Sequence, residues 1–382
     1  MFVSMKQIEN PFLVKGYVHP KYFCDRTKET QLMVDAAING RDVTLFALRR
    51  MGKSGLLDNV GYHLAKNHKY EYIYSDIYNT ESIEQLVAEI TTNVIQQLFP
   101  KKTMLEKIGH FFTGIKPTIS FDQLTGSPQV ELSLNNSIDA ANSLEELFNL
   151  VNNHSKPVYW AWDEFQQISN YTNDSNVLKQ LRYLVQKSTN IRFAFSGSHT
   201  SMLISIFNTA KQPFYKSTQL IELKEINDKD YKTFITHHFK AAKKKIGTEE
   251  IELVLDYTLS HTWYTQTLCN RLFQNYNDVT TRDVKTTLNN ILEESEVTFY
   301  RFRQLFTKGQ WDLLKAVGKE EKVYKPTASS FIKKHDLKSS ASILRSLAKL
   351  LDDEFVVEIY DKEEKYYRLN DVFLMRWLQW IY

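Results

Sequence analysis

Apolar residues fall into two kinds of run along this chain. Short, nearly continuous runs of strand formers recur at residues 43–48, 70–76, 157–162, 191–195 and 218–223, separated by longer stretches with helical spacing. Such short runs fit strands buried on both faces, and their alternation with helices predicts an α/β fold: a parallel sheet with flanking crossover helices over residues 1–224. Residues 101–136 interrupt the pattern, punctuated by Gly, Pro, Ser and Thr with a weak strand at residues 118–121. This stretch reads as an insertion, a loop or hairpin near the cleft of the sheet.

Beyond residue 225 the period becomes helical. Residues 225–304 form an α-helical region, with residues 251–257 and 263–273 as its clearest segments. Residues 305–382 then read as three helices, at 311–317, 328–335 and 339–351, followed by a hairpin through 355–359 and 365–369. That is the layout of a winged-helix domain. Its third helix places Ile343, Leu347 and Leu350 on a buried stripe, and Ser342, Arg345, Ser346 and Lys349 are expected to face outward. In a DNA-bound helix-turn-helix that outward face enters the major groove, whereas other winged helices dock on proteins. Residues 372–382 are apolar on nearly every side and are expected to pack back on the winged helix or the sheet domain.

Composition narrows the class. At 382 residues, 42% hydrophobic and 24% charged, the chain can bury more than one core. A net charge of +3 does not by itself imply nucleic acid. The winged-helix region carries fourteen Lys and Arg against twelve Asp and Glu, a net of +2. Cys24 and Cys269 stand far apart without a C-x-x-C partner, which argues against a metal framework and for a reducing compartment. No stretch approaches the roughly 20 apolar residues that span a bilayer, and no signal-peptide layout opens the sequence, so no membrane is expected and the cytoplasm is the expected location.

The chemistry concentrates in two places. The first strand runs into Gly52-Lys53-Ser54 and then a helix. Backbone N–H groups of such a turn wrap phosphate oxygens, the helix directs its positive end at them, Lys53 reaches the β- and γ-phosphates, and Ser54 offers a hydroxyl to Mg²⁺. The third apolar run ends in Asp163-Glu164, at the carboxyl end of a strand, where open α/β sheets bind ligands. Asp163 would support Mg²⁺, and Glu164 would orient or deprotonate the attacking water. ATP and Mg²⁺ are the cofactors this pairing implies.

These motifs together resemble the archaeal-type ATPase-like proteins of the AAA+/STAND branch of P-loop ATPases, over nearly the whole chain. The segment Asn10-Pro11-Phe12 and the stretch containing Arg26 and Glu29 look like the family's leading segment. Arg49, Arg50, Met51, Gly52, Lys53, Ser54 and Gly55 look like its double-arginine nucleotide loop, and Asp163-Glu164-Phe165-Gln166 like its carboxylate motif. Ser196 matches the polar sensor at the end of the following strand, with Met202 and Phe207 on the next helix. The resemblance implies that Arg26, Arg49, Arg50 and Lys216 serve the nucleotide, and that residues 225–304 form a lid over it.

Three positions depart from the pattern. Ala47 replaces the first glycine of the loop, Lys216 stands where an arginine is expected, and residues 260–266 lack the Gly and Pro usual before their aromatic residues. Lysine keeps the charge but not the planar bidentate fork. The resemblance implies an ATPase that couples nucleotide turnover to movement of the lid and winged helix on DNA or a protein partner. A nucleotide-gated switch with little or no hydrolysis is the alternative. Self-association is left open.

Overall fold

Five of the apolar runs become strands of one parallel sheet in a computed structural model that describes residues 8–99, 118–121, 128–131, 137–361 and 364–382. In chain order the first half contains α1 (Thr27–Ile38), β1 (Val43–Phe46), α2 (Lys53–His68), β2 (Glu71–Asp76) and α3 (Ile83–Leu98). An antiparallel pair follows, β3 (Thr118–Phe121) and β4 (Pro128–Glu131), then α4 (Ser137–Asn152) and β5 (Val158–Asp163). α5 (Asp174–Lys187), β6 (Ile191–Gly197), α6 (Thr200–Asn208) and β7 (Gln219–Glu222) complete it. The strand pair supplies the hairpin expected in residues 101–136; the rest of that expectation lies outside the described residues.

The main sheet has the order β2-β5-β6-β1-β7. Its neighbours are all parallel, so the carboxyl ends of β5, β6 and β1 lie side by side. Period-two alternation sorts the side chains. Val158, Trp160 and Trp162 of β5 join the core cluster that contains α3, α4 and α5 residues, whereas Tyr159 and Ala161 join the cluster of α1 and α2. Trp160 and Trp162 are fully buried, 5.2 Å apart, and continue through Phe193, Phe195, Phe165, Phe207 and Phe214. Each indole removes on the order of 200 Å² from water, roughly 5 kcal/mol at about 25 cal/mol per Å².

The described chain forms two compact units, one of Lys15–Ile226 and one of Asn227–Tyr382 together with Asn10–Val14. The second unit begins with α7 (Asp228–Ala241), β8 (Lys245–Ile246), α8 (Thr248–Thr258), α9 (Thr262–Asn275), β9 (Asp278–Val279) and α10 (Thr281–Leu305). The winged helix follows as α11 (Lys308–Glu320), α12 (Ser329–Lys334), α13 (Ser340–Asp352), β10 (Val356–Asp361) and β11 (Glu364–Leu369), and α14 (Val372–Ile381) comes last. Thr280 with Asp283 and Thr307 with Gln310 make capping boxes at the starts of α10 and α11.

Residues 10–14 belong to this second unit because Phe12 has nowhere apolar to go without it. Its ring is 1% exposed and meets Phe234, Phe239 and Phe273 at 5.9, 5.6 and 5.7 Å. Asn10 and Asn270 clamp it, Asn10 Nδ2 donating to the Asn270 carbonyl and Asn270 Nδ2 to the Phe12 carbonyl.

The C-terminal apolar segment packs back on the winged helix through α11, as expected, and on the helical region as well. Trp377 meets Phe299 of α10, Phe373 meets Tyr264 of α9, and Arg376 donates to the carbonyls of Asp256 and Tyr257 at the end of α8. Residues 260–266 take part in this docking. Leu259 and Ser260 turn with φ of 52° each, and Tyr264 is then buried at 4.7 Å from Phe373. Among the described residues no helix is long and apolar enough to cross a membrane.

One expectation for α13 is corrected. Ser346 is buried, not outward. It lies three residues after Ile343 and four before Leu350, hence on the stripe these define, and its small side chain sits 3.9 Å from where a Cβ on Gly309 of α11 would stand. Leu344, by contrast, is 56% exposed beside the exposed Arg345.

Close approach of α2 to β2 sets a test of this packing. A Cβ on Gly61 would lie 2.6 Å from Cγ of Tyr72, the immobile root of the ring. Alanine gains about 1 kcal/mol of helix propensity over glycine, but overpacking costs about 1–3 kcal/mol. Gly61→Ala should therefore lower stability by about 1 kcal/mol in urea denaturation. An unchanged or raised midpoint would show that α2 has room to shift.

Candidate nucleotide site

The site is assembled from the carboxyl ends of β1, β5 and β6 and the start of α2. After β1 the chain passes Ala47, whose side chain is 4% exposed and packs with the α1–α2 cluster. The Cβ that replaces a glycine hydrogen is thus accommodated in the core. Arg50 and Gly52 then turn with φ of 62° and 93°, and α2 starts at Lys53 with its first backbone N–H groups free of intrahelical partners. Lys53 is 6% exposed, Ser54 is exposed, and Arg49 and Arg50 lie at the surface. Gly55 permits close packing, since a Cβ there would stand 3.1 Å from the Phe23 ring.

Asp163 is the hub. It is 3% exposed, and its two oxygens take four donors. Oδ2 accepts from Ser54 Oγ at 2.6 Å and from Tyr74 Oη at 2.8 Å; Oδ1 accepts from the Ser196 hydroxyl and from the Glu164 N–H at 3.0 Å. A buried carboxylate needs such satisfaction to remain buried. The structure thereby brings together Ser54, Asp163, Glu164 and Ser196, the residues singled out in the sequence.

Glu164 adopts the left-handed conformation, φ 57°, which turns its side chain away from the strand direction. Its Oε2 accepts from Gln166 Nε2 at 2.5 Å and from Ser198 Oγ at 2.9 Å, with the Ser198 N–H at 3.4 Å. Gly197 makes room for this arrangement, because a Cβ there would fall 1.9 Å from Gln166 Oε1.

Arg26 is placed beneath the loop. It is 3% exposed, with φ of 60°, and donates to the carbonyls of Met51 at 3.3 Å and Lys224 at 2.6 Å and to Glu29 at 3.4 Å. Lys216 is exposed and left-handed, its ammonium 5.3 Å from the Tyr215 ring. No contact shown among the described residues joins it to Lys53 or Asp163.

Tyr74 and Asp58 are site neighbours that the sequence does not mark. Burial, and then the Asp163 charge, hold the Tyr74 phenol well above its ordinary pKa, so it is a permanent donor. Asp58 accepts from Tyr72 Oη at 2.9 Å, and burial pushes its carboxyl up to about 6, against the Tyr72 hydrogen bond and with help from Asp163. Burial also raises Asp76, with Asp163 and Glu164 adding to it. The signal for Tyr74 was its position on a strand next to the carboxylate strand, but strand order is not written in local sequence.

Asp58 gives a pH prediction. Its folded pKa lies above the unfolded value, so the folded chain holds a proton that the unfolded chain releases between about pH 4 and 6, and this contribution to stability is lost as pH rises through that window. Asp58→Asn keeps an acceptor for Tyr72 and removes the titration. Its stability relative to wild type should increase from pH 4 to pH 7 in urea denaturation. A difference independent of pH would contradict the buried, protonated Asp58.

No curated protein matches the sequence. Among solved structures, a Walker-type ATPase of Pyrococcus abyssi aligns with a TM-score of 0.66 at 16% identity, covering 97% of this chain and 99% of that one. The ORC2 protein of Aeropyrum pernix, in ADPNP-ADP complexes, gives 0.59 at 13% identity, with 98% and 97% covered. The ORC1 protein of the same organism, in complex with DNA, gives 0.52 at 10% identity, again with 98% and 97% covered. Likenesses at these identities speak for the fold. A family described as "Probable winged helix domain" matches residues 297–380. The family described as "ATPase domain predominantly from Archaea" matches residues 23–268, well over half of the chain, with the loop of Lys53 and the carboxylates of β5 inside the match; the chain belongs to that family.

Proposed function

We propose that this P-loop ATPase binds ATP with Mg²⁺ at residues 49–55 and hydrolyses it, and that its helical region and winged helix convey the nucleotide state to DNA or to a protein partner. The observation that carries the reading is the pairing of Ser54 with Asp163 at 2.6 Å, at the start of a helix and the end of a buried strand. A hydroxyl and a carboxylate are hard oxygen donors, a set that suits Mg²⁺, which completes its shell with water and phosphate oxygens. Burial is the main cause of the raised carboxyls of Asp58 and Asp76, and the nearby Asp163 charge adds to both; a cation at Asp163 would offset that smaller part. Ser54 and Asp163 would hold the ion, which when bound neutralises charge on the β- and γ-phosphates.

The chain's own groups supply the remainder. Lys53 and the N–H groups opening α2 bind phosphate oxygens, and the helix dipole adds to their pull. Arg26 fixes the loop from below through the Met51 carbonyl. Glu164 has its Oε2 held by Gln166 and Ser198, and its Oε1 takes no hydrogen bond shown among the described residues, so Oε1 is the oxygen available to orient a water and accept its proton. Ser196 ties Asp163 to the end of β6, a route by which that strand senses the metal-binding carboxylate.

The three donors gathered on Glu164 Oε2 support a second reading, a nucleotide-gated switch in which the base is restrained and turnover is slow. As to the partner, the A. pernix ORC1 structure contains DNA, which supports DNA for the winged helix here. The exposed Leu344 and the pairing of Lys349 with Asp353 at 2.6 Å support a protein surface instead.

ATP binding and single-turnover hydrolysis, measured on the same preparations, test the proposal. Lys53→Ala should weaken ATP·Mg²⁺ binding by on the order of 100-fold, the loss of a charge-assisted bond to a desolvated phosphate. Glu164→Gln should bind as wild type does and hydrolyse at least about 100-fold more slowly. Equal binding by Lys53→Ala would remove the nucleotide site; tight binding with no single-turnover product from the wild-type chain would favour the switch.

A further inference from the structure

Tyr74 is the one donor on Asp163 that no nucleotide chemistry has yet claimed. It lies on β2, in register with Ala161 and two residues before the pair Asp76 and Asp163, so its side chain points to the α2 side of the sheet. There its hydroxyl donates to the same oxygen, Asp163 Oδ2, that Ser54 uses, at 2.8 and 2.6 Å. β2 is the edge strand, and an edge strand is ordinarily the least constrained of a sheet. At this residue it is secured: Gln97 of α3 accepts from the Tyr74 N–H at 2.8 Å and donates to the Tyr74 carbonyl at 2.9 Å, filling both backbone positions that a further strand would occupy. Packing and backbone pairing make Tyr74 a fixed donor rather than a rotor.

Ser54 cannot be fixed in the same way. A serine hydroxyl can give a lone pair to a cation and still donate its O–H to Asp163 Oδ2, but Ser54 would then move with the cation it serves, whereas Tyr74 is the Oδ2 donor that does not. Oδ1 is held by Ser196 and Glu164, and a fixed donor on Oδ2 narrows what rotation about χ2 remains.

We propose that Tyr74 is a positioning residue of the Mg²⁺·ATP site, holding Asp163 Oδ2 in the orientation in which Asp163 and Ser54 would serve the metal. This rests on the ATP reading above. It predicts a defect concentrated in the metal-dependent part of nucleotide binding, because the Tyr74 hydroxyl donates to Asp163, the carboxylate set for the metal.

The test uses the full chain as wild type, Tyr74→Phe and Tyr72→Phe, with a fluorescent ATP analogue titrated in EDTA and then at fixed nucleotide with increasing Mg²⁺. Phenylalanine keeps the ring packing and deletes the hydroxyl. In EDTA, Tyr74→Phe should bind the analogue as wild type does, within about two-fold. The Mg²⁺ concentration giving half of the metal-dependent gain should rise about ten-fold, as for loss of a hydrogen bond to a charged group. Tyr72→Phe, which removes the neighbouring phenol from Asp58 instead, should retain the wild-type Mg²⁺ midpoint. An unchanged midpoint in Tyr74→Phe, or an equal loss of affinity with and without Mg²⁺, would overturn the proposal. Should the wild-type chain itself gain nothing from Mg²⁺, the ATP·Mg²⁺ reading falls and this inference with it, a result visible before any variant is compared.

Discussion

A carboxylate taken out of water needs a donor for nearly every lone pair, or its burial becomes prohibitive. Asp163 meets that requirement with donors from four places: Ser54 at the start of α2, Tyr74 on β2, Ser196 at the end of β6, and the N–H of its own neighbour Glu164. These elements are far apart in sequence, and one side chain makes their relative positions interdependent. The parallel order β2-β5-β6-β1 is what places them in reach, and the indoles of Trp160 and Trp162 hold β5 in the middle of the sheet by sheer buried area. The site is therefore a property of the sheet, with the loop laid across its edge. Positive φ at Arg50, Gly52 and Glu164 occurs where the backbone leaves the regular strand and helix geometry, beside the proposed nucleotide site.

What could be read in the sequence is what depends on neighbours in sequence. A strand running into Gly52-Lys53-Ser54 and another running into Asp163-Glu164 are local patterns, and the parallel sheet, its helices and the winged helix follow from periodicity. Non-local facts were hidden. Tyr74 looks like any strand tyrosine until β2 is known to lie against β5. Phe12 gives no sign that it leaves the first compact unit for a cluster with Phe239 and Phe273. Ser346 was misplaced because its polarity was weighed above its angle: a residue three after Ile343 and four before Leu350 is on their face whatever its side chain.

The second unit follows a related logic with apolar contacts in place of a charge. α14 packs on α10, α9 and α11, and Arg376 caps the carbonyl end of α8, so the helical region and the winged helix share one C-terminal helix. Phe373 and Trp377 make its contacts with the helical region, and Leu378 lies near Gly318 of α11 on the winged-helix side. Within residues 260–266, read from sequence as a departure from the family pattern, Trp263 and Tyr264 pack against Phe373 of the same helix.

The central claim is that Asp163 joins the fold to metal-dependent nucleotide binding. Calorimetric titration of ATP into wild type and Asp163→Asn, each with and without Mg²⁺, addresses it directly, since asparagine keeps the shape and an acceptor oxygen for two of the four donors and loses the charge. The account predicts that Mg²⁺ tightens ATP binding to the wild-type chain by about ten-fold or more and leaves Asp163→Asn indifferent to the metal. An Asp163→Asn chain that keeps the full Mg²⁺ enhancement would contradict it.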